Sequence, residues 1–178
     1  MFSIAALIEA KQAAPWQKLA SLCEFTGVIT HTISHFSWQT AENYRIEPLK
    51  EKLTALTENI SPFSFTTSGL GVFPGDRKIL FLIIVKTKKL LEIHEMLWKE
   101  LSIYAEGSKA HYAPENWIPH ISINLYKLTD DQFNCSFAEL IKTDLNFEFK
   151  VSKFGLIYLN KESAGIDTIF PLKQSESK

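Results

Sequence analysis

Two tetrapeptides, His35-Phe36-Ser37-Trp38 and His120-Ile121-Ser122-Ile123, carry the same His-x-Ser-x pattern 85 residues apart. Each stretch reads as a β-strand, whose side chains alternate between faces with period two. His35 and Ser37 then share one face, with Phe36 and Trp38 on the other. His120 and Ser122 likewise point together, backed by Ile121 and Ile123. An imidazole titrates near ~6.5 and exchanges protons close to neutral pH. A hydroxyl beside it can donate to charge developing on an oxygen. Two such strands meeting in one cleft would bring two histidines and two hydroxyls together, a set suited to acid–base chemistry at a phosphate with no metal required. Either histidine alone is most simply a polar residue on a solvated strand face; the repeated pairing with serine favours function.

The elements that must position these residues follow from hydrophobic periodicity. Phe2–Ile8 reads as a buried strand, Pro15–Glu24 as a helix, and Gly27–Trp38 as the β-branched strand carrying the first motif. Ile46, Leu49, Leu53, Leu56 and Ile60 step by three and four, which predicts an amphipathic helix. Phe63–Ser68 reads as a strand, Gly71–Lys78 as a turn, and Ile79–Val85 as a central strand buried on both faces. Leu90, Leu97, Leu101 and Tyr104 mark a helix, residues 106–117 a loop, and Pro119–Tyr126 the strand carrying the second motif. Thr129-Asp130-Asp131-Gln132 is a capping box opening a helix, with Phe133, Phe137, Leu140 and Ile141 as its apolar stripe. Phe147–Val151, Phe154–Asn160 and Ile166–Pro171 read as closing strands, and residues 174–178 as a frayed tail. Both halves, about 1–75 and 76–173, thus run strand, helix, His-x-Ser strand, helix, strands. This predicts an internal structural duplication of α/β or α+β type.

Composition narrows the partners. The net charge is −1, with 46% hydrophobic and 22% charged residues, unlike the basic excess of proteins that coat long nucleic acid. Arg45 and Arg77 are the only arginines, so bidentate phosphate forks are a small part of any site. Small or short phosphorylated ligands fit this balance better than a duplex. The apolar N-terminus lacks a basic n-region and no stretch approaches a membrane span, so a cytoplasmic protein without membrane association is expected. Cys23 and Cys135 have no metal-type spacing and read as buried thiols rather than a disulfide or a nucleophile. No GxGxxG or P-loop pattern is present.

With twin motifs on predicted strands and Pro119 directly before His120, residues Phe2 to Pro171 resemble the 2H phosphoesterase superfamily, which includes 2′-5′ RNA ligase-like proteins and cyclic nucleotide phosphodiesterases. The chain departs from the family pattern in carrying serine at both hydroxyl positions, where threonine is commoner, and Ser34 where proline is frequent. The resemblance implies an α+β fold. The expected organisation is a single bilobal domain over 1–173, with two pseudo-symmetric lobes of antiparallel-rich sheet and flanking helices around a central cleft. It also implies a metal-independent phosphodiesterase with no cofactor. His35, Ser37, His120 and Ser122 would be catalytic, acting on 2′,3′-cyclic phosphates or 2′-5′ linked short RNA, with ligation as the reverse reaction. The alternative is a non-catalytic module that binds RNA ends or nucleotide phosphates; a metal hydrolase ranks last because carboxylate clusters are lacking. A monomer is expected.

Around the motifs, Tyr112, Trp117, Asn124 and Tyr126 are candidate substrate-binding residues: aromatics can stack a base, and Asn124 and Tyr126 share the His120 face. Trp117, close to a strand start, reads more simply as core. His31 reads as a strand-end residue rather than a metal ligand, His94 as structural, and His111 as an exposed loop residue near the second motif. Lys78, Lys86, Lys88 and Lys89 read as a solvated cluster. Ser64, Thr66 and Ser68 alternate on a strand that either lines the cleft or faces water.

Overall fold

The computed structural model describes residues 1–9, 33–123, 128–160 and 164–173. The predicted helix Pro15–Glu24, His31, Asn124, Tyr126 and the tail lie outside the described residues. Nine strands and three α-helices are described: β1 Phe2–Leu7, β2 His35–Tyr44, α1 Ile46–Thr57, β3 Phe63–Phe73, β4 Ile79–Ile84, α2 Lys88–Leu101, β5 Ala105–Ser108, β6 His120–Ser122, α3 Asp130–Leu140, β7 Glu148–Val151, β8 Lys153–Leu159 and β9 Ala164–Pro171. All pairings are antiparallel and form two sheets, β5-β2-β1-β8-β9 and β6-β4-β3-β7. The α+β architecture expected from the sequence is the one observed.

The two sheets share one core. Ile4, Ala6, Phe36 and Trp38 meet Phe63, Phe65, Leu80 and Leu82 there, with Leu49 and Leu53 of α1 and Leu90 and Leu97 of α2. Burying each large side chain stabilises the fold by about 1.5–3 kcal/mol. This core holds the apolar face of each motif: Phe36 and Trp38 are fully buried and Ile121 is 1% exposed. The predicted alternation therefore sets His35, Ser37, His120 and Ser122 on the other face, all half-buried.

The lobes do not coincide with the halves of the sequence. In one sheet, central β1 is flanked by the motif strand β2 and by β8; in the other, central β4 is flanked by the motif strand β6 and by β3. β3 of the first half joins the sheet of β4, and β5, β8 and β9 of the second half join the sheet of β1, so a cut near residue 75 severs the β3–β4 hairpin rather than separating two lobes. Local periodicity reports strands but not partners, and the exchange is a matter of partners.

Other boundaries move for the same reason. β2 continues six residues past Trp38, because β1 pairs with it through Phe2↔Ala41 and β5 through Tyr44↔Ala105. β5 itself falls partly in the predicted loop; its sequence Ala-Glu-Gly-Ser is a poor strand former that is held by the edge of β2. β3 runs through Gly71 to Phe73, so the turn is shorter than expected. The capping box is present, with Thr129 accepting from the Gln132 amide and Gln132 from Thr129. On α3, however, Phe137 and Ile141 are exposed. Cys135 is exposed and disulfide-bonded, which corrects the expectation of a buried thiol: the inward positions of α3 are Ser136 and Leu140. Cys23 lies outside the described residues.

Candidate active site

His35 opens β2 and His120 opens β6, and the two strands are in contact. Both imidazoles are held in the same way. His35 Nδ1 lies 2.5 Å from the Ile33 carbonyl, and His120 Nδ1 lies 2.7 Å from the Ile118 carbonyl, each two residues upstream. A carbonyl only accepts, so each Nδ1 carries the proton. In the neutral ring the lone pair is then on Nε2. The two histidines are equivalent in tautomer and in mounting, with one nitrogen of each committed to the backbone.

Their charged forms are disfavoured. Burial pushes His35 below its ordinary value, the neighbouring His120 adds to this, and the Ile33 carbonyl opposes it. Burial also pushes His120 down, with His111 adding to it and the Ile118 carbonyl opposing. The influence of each neighbour places His35, His120 and His111 in one electrostatic environment.

The motif serines differ. Ser37 Oγ accepts a 2.7 Å hydrogen bond from Ser3 Oγ on β1, and the Ser37 carbonyl accepts from Trp117 Nε1 at 3.1 Å. Among the described residues, the Ser122 hydroxyl has no hydrogen-bond partner. Trp117, only three residues before His120, thus ties the approach to the second motif onto the first.

This corrects the reading of Trp117 as a base-stacking residue. It is 1% exposed. One face of its indole stacks on His94 at 3.8 Å, and Trp38 packs 5.5 Å away. A large apolar ring between two lobes is worth more in the core than at the surface. His94 is structural, as expected: its Nε2 lies 3.0 Å from the carbonyls of both Trp38 and Tyr112. Tyr112 is half-buried against the core, 4.6 Å from the exposed His111 ring. Ser64, Thr66 and Ser68 are exposed. Lys78 pairs with Asp130 and Lys88 with Glu92, consistent with a solvated cluster.

Sequence reasoning missed the aromatic wall beside His120. Phe73 and Phe81 stack on each other at 4.2 Å, and their centroids lie 4.9 and 5.0 Å from the His120 ring. Gly71 makes room for it: any Cβ there would collide with the Phe81 ring. A Gly at that point of a strand was the available signal, since such a glycine marks a close approach. Phe73 is half-buried, leaving part of the wall accessible. Among the described residues, no group of three or more His, Cys, Asp or Glu side chains could hold a metal ion, and no helix is long and apolar enough to cross a membrane.

Two antiparallel lobes that each present a His-x-Ser strand define a twin-histidine fold. The family model of the 2′-5′ RNA ligase superfamily matches residues 31–162, most of the chain including both motifs, and the chain belongs to that superfamily. Among solved structures, E. coli LigT in its apo form is similar at 14% identity, with 97% of each chain covered and a TM-score of 0.61. E. coli LigT complexed with 3′-AMP matches at 14% identity and a TM-score of 0.60, covering 97% of this chain and 98% of that one. A protein described as a phosphoesterase matches at 13% identity and 0.59, with 97% and 98% covered. At these identities the likeness is one of fold. A search of curated proteins finds no match.

Proposed function

We propose that the protein is a phosphoesterase that opens 2′,3′-cyclic phosphates or cleaves 2′-5′ linked short RNA, with His35 and His120 as its acid–base pair. The observation that carries this reading is the matched mounting of the two imidazoles, each with Nδ1 on a carbonyl two residues upstream and Nε2 uncommitted. Membership of the 2′-5′ RNA ligase superfamily and the fold shared with LigT support it, as does the nucleotide in the 3′-AMP complex of LigT.

In hydrolysis, Nε2 of the neutral histidine takes a proton from water as its oxygen bonds to phosphorus. Nε2–H of the protonated histidine gives a proton to the ribose oxygen as its bond to phosphorus breaks. One proton enters and one leaves, so the pair ends with roles exchanged. Such acid–base assistance contributes about 10²–10⁴-fold. Ser37 and Ser122 donate to the non-bridging oxygens. Burial disfavours the charged form of both rings, and an anionic phosphate between them favours a proton on one of them. Run backwards, the same pair joins a cyclic phosphate to a hydroxyl, which is ligation. The half-exposed Phe73, and Tyr112 beside His111, are the aromatic groups available to a base; Asn124 and Tyr126 complete the proposed substrate contacts. The reaction uses no metal in this scheme.

The test is turnover of nucleoside 2′,3′-cyclic phosphates and of 2′-5′ linked dinucleotides with EDTA present. Metal-free turnover of either substrate is expected. A folded protein that turns over neither, yet binds a 3′-phosphorylated RNA end, would instead be the binding module.

A further inference from the structure

Behind Ser37 the hydroxyls form a directed chain. Thr40 Oγ1 donates to Ser3 Oγ at 3.1 Å, and Ser3 Oγ donates to Ser37 Oγ at 2.7 Å. The other acceptor within reach of Ser3, the Gln39 carbonyl, is at 3.4 Å and correspondingly weaker. A hydroxyl has one proton and two lone pairs. With the Thr40 proton on Ser3 and the Ser3 proton on Ser37, the proton left over is that of Ser37. Its cross-strand neighbour on β1 is Ala5, which offers no side-chain acceptor.

Regular alternation would not build this chain. Ser37 and Thr40 are three residues apart and would face opposite sides of a regular strand. The register shows why they do not: Ala5 pairs with Ser37, but Ile4 pairs with Gln39 and Ser3 with Thr40. Trp38 is the extra residue of a β-bulge, which restores Thr40 to the Ser37 face. Trp38 and Gln39 are accordingly both buried.

We infer that Ser3 and Thr40 are positioning residues that fix the Ser37 hydroxyl with its proton free for a phosphoryl oxygen, whereas Ser122 has no such support among the described residues. The inference rests on the phosphoesterase reading and deepens it: one motif serine is a preset donor and the other a free rotor. Successive hydrogen bonds polarise one another, so the chain also makes Ser37 a stronger donor than an isolated hydroxyl.

The experiment compares kcat and KM on a nucleoside 2′,3′-cyclic phosphate for wild type, Ser3→Ala, Thr40→Val, Thr40→Ser, Ser37→Ala and the Ser3→Ala/Ser37→Ala double variant, each checked by thermal melting. Ser3→Ala is expected to lower kcat by about three- to tenfold, the scale of one hydrogen bond, with KM little changed. Thr40→Val should lose less, and Thr40→Ser should behave as wild type. In the Ser37→Ala background, Ser3→Ala should cost nothing further. An equal loss in both backgrounds, or failure of Thr40→Ser to differ from Thr40→Val, overturns the inference while leaving the phosphoesterase reading intact. A wild type without turnover overturns that reading, and this inference with it.

Discussion

The two motifs share a sequence pattern and the way each histidine is held, but not the setting of the serine or of the strand. His35-x-Ser37 begins a ten-residue strand flanked by β1 and β5 in its sheet, and its serine is held by Ser3. His120-x-Ser122 is a three-residue strand at the edge of the other sheet, with an aromatic wall beside the histidine and no hydrogen bond to its serine among the described residues. The difference shows that one four-residue pattern can be built into two unlike settings. In one, the serine is hydrogen-bonded from β1; in the other, the histidine packs against the stacked rings of Phe73 and Phe81.

The join between the motifs, at Trp117, is the most damaging place to break. Trp117→Ala removes the ring that packs on His94 and Trp38 and the Nε1 bond to Ser37. It should cost about 3–5 kcal/mol of unfolding free energy, the range for a buried aromatic, measured by denaturant titration. A variant as stable as wild type would mean that Trp117 does not hold the motifs together.

Glycine substitutions sharpen the contrast between the sides. Gly71→Ala drives a methyl into Phe81 and should cost about 1–3 kcal/mol, as overpacking does, and reduce turnover by displacing His120. On the His35 side, the nearest atoms to a Cβ at Gly155 belong to the flexible Leu7 side chain, at 2.9–3.1 Å. Gly155→Ala should therefore lose less of both. The reverse order in melting and turnover would contradict the unlike packing around the two motifs.

The pH dependence follows from the depressed histidines. The acid must be protonated, and in the free protein this requires a pH below its lowered value. The falling alkaline limb of kcat/KM is thus expected to begin below pH 6.5, the ordinary histidine value. The kcat profile should lie at higher pH, because bound phosphate favours the charged form. A kcat/KM optimum above 7 would show that burial does not govern the pair.

His94 gives the smallest effect. Its imidazole is pushed down to about 4, mainly by burial, against the two carbonyls that hold its Nε2. The unfolded chain binds this proton more readily than the folded one. The stability it contributes is complete above pH 6.5 and is lost as pH falls toward 4. The melting temperature of wild type should fall over that window, and that of His94→Gln should fall less steeply. Parallel curves would remove His94 from the acid response.

Much of this was legible in the sequence because it is local. The His-x-Ser faces depend on alternation within four residues, α1 on spacings of three and four, and the α3 cap on Thr129 and Gln132. What was not legible depends on partners far along the chain. Ser3 bonds Ser37 from 34 residues away; β3 on one side and β5, β8 and β9 on the other pair into the sheet of the opposite half; and the bulge at Trp38 is visible only in its pairing with β1. Trp117 illustrates the limit most clearly, since an aromatic beside a motif has the same sequence signature whether it faces a substrate or the core.

The central claim is that one site uses both histidines. Its most direct test is turnover of a nucleoside 2′,3′-cyclic phosphate in EDTA by His35→Ala, His120→Ala and the double variant. Each single change should lower kcat by about 10²–10⁴-fold, and the double should be little worse than the more damaged single, because the groups act as a unit. Near-wild-type turnover in either single variant would contradict the account.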